Sequence, residues 1–187
     1  MEVGRKLSFG ESVAGALLAG LGYVFFYELN GWMFSQVKIS DNISWVFLPA
    51  AIRMLAVLLF EWAGVAGLFA GSLAVILPLL ADEPGHALAL ATLSSAPSLL
   101  AARFVQRSLG IQADLAGMTG RYLLVFGLAG GLVNSLSHTL YFAGRDGSLA
   151  PLHGFIPMFI GDSIGTLLVL YAGAITLRHF RARPSSE

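Results

Sequence analysis

Six long apolar runs, each separated from the next by a short polar or turn-forming stretch, decide what this chain can become. They cover residues 12–34, 44–60, 62–80, 86–104, 122–141 and 155–177. About 17 to 25 such residues cross a bilayer core of about 30 Å as a helix, and a helix satisfies its own backbone hydrogen bonds in lipid. The expected fold is all-α, an integral membrane bundle of six transmembrane helices making one domain over residues 1–187. Composition agrees, since 56% of the residues are hydrophobic and 12% charged, whereas soluble domains are about 45 to 50% apolar.

The least obvious separator is Glu61, which stands alone between two apolar runs. A single helix over residues 44–80 would be ~55 Å long at ~1.5 Å per residue, too long for one crossing, and Gly64 and Gly67 follow closely. A turn at Glu61 is therefore expected. Arg5 and Lys6 precede the apolar stretch 13–26 in the manner of a signal peptide. Because that stretch continues through Trp32, Met33 and Phe34, it reads as a retained helix.

Six crossings put Arg5, Lys6, Arg103, Arg107, Arg121, Arg178, Arg181 and Arg183 on one side and only Lys38 and Arg145 on the other. Basic residues concentrate on the cytoplasmic side, so both termini are expected there, in a multi-pass membrane protein. Eleven Lys and Arg balance eleven Asp and Glu, which gives no reason to expect a nucleic-acid partner. With no cysteine and four scattered histidines, disulfides, thiolate chemistry and a metal site are not expected, and no cofactor is implied. Gly161-Asp162-Ser163-Ile164-Gly165 has the written form of a nucleophile elbow, but that serine needs a sharp strand-to-helix turn and the apolar flanks here predict continuous helix. A non-enzymatic role is expected.

Charged groups inside a span are costly and normally face a partner or a wet cavity. Counted at ~1.5 Å per residue from the outer ends, Arg53 lies ~13 Å deep, Ser94 ~12 Å, Asn134 and Asp162 ~10 Å, Glu28 ~9 Å and His138 ~5 Å. Asn134 and His138, four apart, share a helix face with Ser137 and Tyr141 beside them. Arg53 and Asp162 are expected to form a buried ion pair, and Glu28, Arg53, Ser94, Asn134, His138 and Asp162 together to line an outward-opening pocket for a small polar ligand. The alternative is a structural clamp with no ligand. Gly67 and Gly71, Gly127 and Gly131, and Gly161 and Gly165 have the spacing that lets membrane helices approach closely, and packing within the chain is expected of them.

The stretch from Ser44-Trp45-Val46-Phe47-Leu48-Pro49-Ala50-Ala51-Ile52-Arg53 through Gly67-Leu68-Phe69-Ala70-Gly71-Ser72-Leu73, with Phe159-Ile160-Gly161-Asp162-Ser163-Ile164-Gly165-Thr166-Leu167-Leu168, resembles the opening and closing patterns of MASE-type membrane-associated sensor domains, nearest to their vitamin-uptake-like relatives. The likeness brackets about residues 44–177, with Ala51 where the family has glycine. It implies a sensor-like small-molecule binding module of the bacterial inner membrane that acts in signal transduction. Since only Pro184-Ser185-Ser186-Glu187 follows Arg183, the signal is expected to reach a separate partner protein. The same relatives are similar to the substrate-binding components of vitamin transporters, so small-metabolite uptake is the alternative, with Gly15, Ala16, Ala19 and Gly20 as a face for docking a transport partner. A structural subunit of a membrane complex is the third reading.

Overall fold

A computed structural model describes residues 7–40, 43–110, 120–147 and 152–181. Arg5, Lys6, Arg183 and the four residues after it lie outside them. The described chain forms five long helices: α1 (Phe9–Phe34), α2 (Pro49–Ile76), α3 (Pro84–Leu109), α4 (Gly120–Asp146) and α5 (Leu152–Arg181). Between α1 and α2, β1 (Lys38–Ser40) pairs antiparallel with β2 (Ile43–Ser44). All five helices are long and apolar enough to cross a membrane.

The count of five corrects the expected six. The runs 44–60 and 62–80 are joined in α2, where only Glu61 is non-helical (φ 50°, ψ −119°), so no loop divides them. Helix also starts later than expected, at Pro49, which suits a first-turn position because its missing N–H would be unpaired there anyway.

The neighbours of α1 show what happens at Glu61. Along its first half, Gly15 packs on Phe60 and Gly22 on Ile52, an antiparallel match; a Cβ on Gly67 would strike the Ala16 carbonyl and one on Gly71 that of Gly20, a parallel match. The two halves of α2 therefore run in opposite directions. Gly64 sits against the backbone of Ala56, eight residues earlier, a contact that a straight helix rising ~1.5 Å per residue cannot make. Left-handed φ is uncommon outside glycine. At Glu61 the conformation is accompanied by an ion pair, Oε2 lying 2.6 Å from Arg103 of α3.

Packing follows from these reversals. The bent α2 touches each of the other four helices, α3 adjoins α4, and α4 adjoins α5. Tyr23, Met54, Val57, Leu68, Leu99, Val105 and Phe126 form the buried apolar centre. Leu17, Leu21, Leu100, Phe104, Leu140 and Leu167 are exposed around it, the outward apolar surface that lipid requires and water does not tolerate.

All three glycine pairs pack inside the chain. Gly67 and Gly71 receive α1, Gly127 faces Thr166, and Gly131 faces Asp162 and Ser163. Gly161 and Gly165 receive the carbonyls of Ser44 and Phe47, so they seat a non-helical segment rather than a helix. The proposed docking face of α1 is corrected likewise: Ala16 and Gly20 lie against the second half of α2, Gly15 against Phe60, and Ala19 is buried. Small residues on this face stand where the backbones of α1 and α2 meet.

Candidate functional site

Non-helical backbone at membrane depth survives only where protein buries it or a cavity hydrates it. Residues 44–48 meet that condition through neighbours on both sides. The Phe47 amide donates to the Gly161 carbonyl at 3.0 Å, and the Leu48 amide donates to Asn30 Oδ1 at 2.8 Å. Buried Asn30 thus supplies from α1 the cap that the start of α2 lacks in its own sequence. The segment sets the phase of α2 and carries Arg53 inward, one turn past Pro49.

Arg53, Asn134 and Asp162 close a three-membered ring across α2, α4 and α5. Arg53 Nη1 donates to Asn134 Oδ1 at 2.5 Å and Nη2 to Asp162 Oδ1 at 2.8 Å. Asn134 Nδ2 donates to Asp162 Oδ2 at 2.7 Å. The ion-paired side chains are only 4% and 2% exposed, so neither charge has water to fall back on. Phe47 covers the guanidinium, its ring centroid 5.1 Å from Cζ. Both Asp162 oxygens, the Asn134 oxygen and nitrogen, and both terminal nitrogens of Arg53 thus each meet a partner of the opposite kind, the condition under which buried charge is tolerable.

Above this floor opens a cavity of about 950 Å³. Glu28, Arg53, Ser94, Asn134, His138 and Asp162 all line it, from all five helices. Arg53, Asn134 and Asp162 are locked in the ring. His138 is buried and its Nδ1 lies 3.0 Å from the Asn134 carbonyl of its own helix, which leaves Nε2 as the free end of the imidazole. Ser94 is buried, and Glu28 is exposed at the mouth. Ser137 instead bonds back to Val133 and is not among the lining residues, whereas Tyr141 meets His86.

Sequence reasoning passed over the aromatic wall. Tyr23 and Tyr27, stacked with centroids 6.5 Å apart, line the cavity with Phe47 and Phe142. A partial signal existed: Tyr23 and Tyr27, four apart, share one helix face. Asn30 gave no such signal, because its partner is an amide 18 residues on. The second half of α2 contributes Ala74, Val75 and Ile76, and the turn after it Pro78, Leu79 and Leu80.

At the same end of the bundle, Glu83 before α3 pairs with Arg145 at the end of α4, and His86 Nδ1 lies 2.8 Å from the Tyr141 hydroxyl. The Arg145 hydrogen bond and charge hold the Glu83 carboxyl below the usual carboxylate range. This contact ties the α3 and α4 rims of the cavity together.

The elbow-like Gly161 to Gly165 stretch is ordinary helix within α5. Ser163 donates to the Phe159 carbonyl of its own helix at 2.7 Å, and His138 Nδ1 lies against the Asn134 carbonyl. Set against known proteins, the chain matches no family model, no curated protein and no solved structure, and its function is read from the chemistry of this cavity.

Proposed function

We propose that this is a bacterial inner-membrane protein that crosses the bilayer six times on five helices, both ends in the cytoplasm, and binds a small polar molecule in a cavity open to the outside. The crossing count is supported by the reversal of α2 at Glu61, which returns Arg53 and Ile76 to one cavity. The orientation is supported by the excess of Lys and Arg at the opposite end.

One observation carries the binding reading: polar groups beyond those needed for the ion pair converge on one space. Arg53, Asn134 and Asp162 satisfy one another, so a structural clamp is complete without Ser94, His138 or Glu28. Of these, the buried Ser94 and His138 gain nothing from facing a cavity unless something polar occupies it. A volume near 950 Å³ is within the range of small-molecule sites, about 300 to 1,000 Å³.

Resemblance to MASE-type sensor domains supports a sensory role, in which ligand binding is relayed to a kinase or cyclase. Uptake is the weaker reading, since the small-residue face of α1 is already covered by α2. In the test, purified protein is screened for thermal stabilisation by a metabolite panel, because a ligand favours the state it binds. At least one compound should stabilise the wild type, and His138→Leu with Ser94→Ala should remove the gain while leaving ligand-free stability near wild type. Stability lost without any ligand effect would make the cavity a structural feature.

A further inference from the structure

The charge inventory of the cavity narrows the ligand further. Among the described residues its formally charged lining groups are Arg53, Asp162 and Glu28. Arg53 is the group an anion would seek, yet both its terminal nitrogens are engaged, one by Asn134 and one by Asp162, and Phe47 covers a face of it. The other anion-attracting feature would be the N-terminus of α2. Its amides are also engaged: Leu48 by Asn30, Ala50 by the Phe47 carbonyl and Ala51 by the Leu48 carbonyl, while Pro49 has none. The helix terminus is thus closed, and Arg53 already has Asp162 as its counter-ion, so the third charged lining group, Glu28, leaves the cavity net negative.

Glu28 remains. Among the described residues it forms no ion pair, and it stands exposed where α1 lines the cavity together with Tyr23 and Tyr27. A carboxylate in a cavity lined by stacked tyrosines, with Phe142 next to His138 (centroids 6.4 Å apart), combines the two elements that recognise organic cations: a counter-charge and aromatic faces. Resting on the reading of the cavity as a binding site, we infer that its ligand carries a positive amine or heteroaromatic cation. That cation is held by Glu28 against Tyr23 and Tyr27, and the rest of the molecule reaches the Ser94 hydroxyl and the His138 imidazole.

Three probes of matched size and different charge separate the alternatives: 2-phenylethylammonium, 2-phenylethanol and phenylacetate, each titrated by calorimetry into the purified full chain in detergent. The cation should bind at least about tenfold more tightly than the alcohol, the scale of an aromatic cation contact in a desolvated site, and phenylacetate most weakly. Glu28→Gln, at an exposed position, should erase the preference without changing ligand-free stability, and Glu28→Asp should keep part of it. Tighter binding of the alcohol or of phenylacetate overturns the cation assignment but leaves the binding site standing. A cation preference that survives Glu28→Gln removes Glu28 from the account. Binding by none of the three overturns the inference, and the metabolite panel then decides the binding reading on its own.

Discussion

Replacing Arg53 by Met, or Asp162 by Leu, leaves its partner as an unpaired charge in a site where the side chains are 4% and 2% exposed. Breaking a buried pair from one side costs about 3 to 5 kcal/mol, whereas replacing both members with apolar residues of similar volume is often nearly neutral. Here the ring changes that expectation. Asn134 accepts from Arg53 and donates to Asp162, so the double variant strands a buried amide and should remain destabilised by about 1 to 3 kcal/mol. Adding Asn134→Leu removes the stranded group, and the triple variant should be the most stable of the set. Each single variant should therefore be the worst, the double intermediate and the triple nearest to wild type. If the losses simply added, the double variant would cost roughly 6 to 10 kcal/mol, comparable to the whole stability of a typical domain at about 5 to 15 kcal/mol. Unfolding in mixed micelles of rising SDS fraction, followed by circular dichroism, ranks the four proteins. A double variant less stable than either single would refute the ring as the seat of this coupling.

Reporters active only outside the cytoplasm should work when fused after Lys38, Asp82 or Asp146 and fail after Glu61, Gln112 or Pro184; activity after Glu61 would contradict the reversal of α2. Gly67→Leu drives a side chain into the Ala16 carbonyl and should destabilise by at least the ~1 to 3 kcal/mol of ordinary overpacking, whereas Gly173→Leu, with nothing within 4 Å, should leave thermal unfolding unchanged. Glu83 is held below its ordinary range by Arg145, so its contribution is present above the unfolded carboxylate value of about 4.3 and is lost as pH falls through the lower folded value. Glu83→Gln should accordingly flatten the acid limb of the stability profile, and high salt should mimic it at neutral pH; an unchanged acid limb would remove this pair from the account.

The membrane class was legible because hydropathy is a property of each segment alone. The polar cluster was legible for a related reason: six residues that a lipid-facing helix would not carry agreed in depth, and depth follows from counting along a span. The helix count was misjudged because the turn at Glu61 uses one residue and no loop, so helix continues immediately on either side. That Gly161 and Gly165 would seat the extended segment 44–48 could not be read, since glycine spacing reports close approach and not what approaches. Asn30 and Asn134 show the same limit from the polar side. Their partners lie on other elements, and only the folded chain reveals that Asn134 completes a ring instead of remaining free for a ligand.

The absence of native cysteine allows the central claim, a polar cavity reaching into the bundle from outside, to be tested by single cysteines. Ser94 lines the cavity while its neighbour Ser95 does not; Ser95 is 1% exposed and bonds back to Ala91. In intact cells, a membrane-impermeant thiosulfonate should modify Ser94→Cys and spare Ser95→Cys, and a compound that stabilises the protein should slow the first reaction. Equal labelling of the two positions, or labelling of Ser94→Cys only when the reagent is admitted to the cytoplasm, would contradict an outward-open binding cavity.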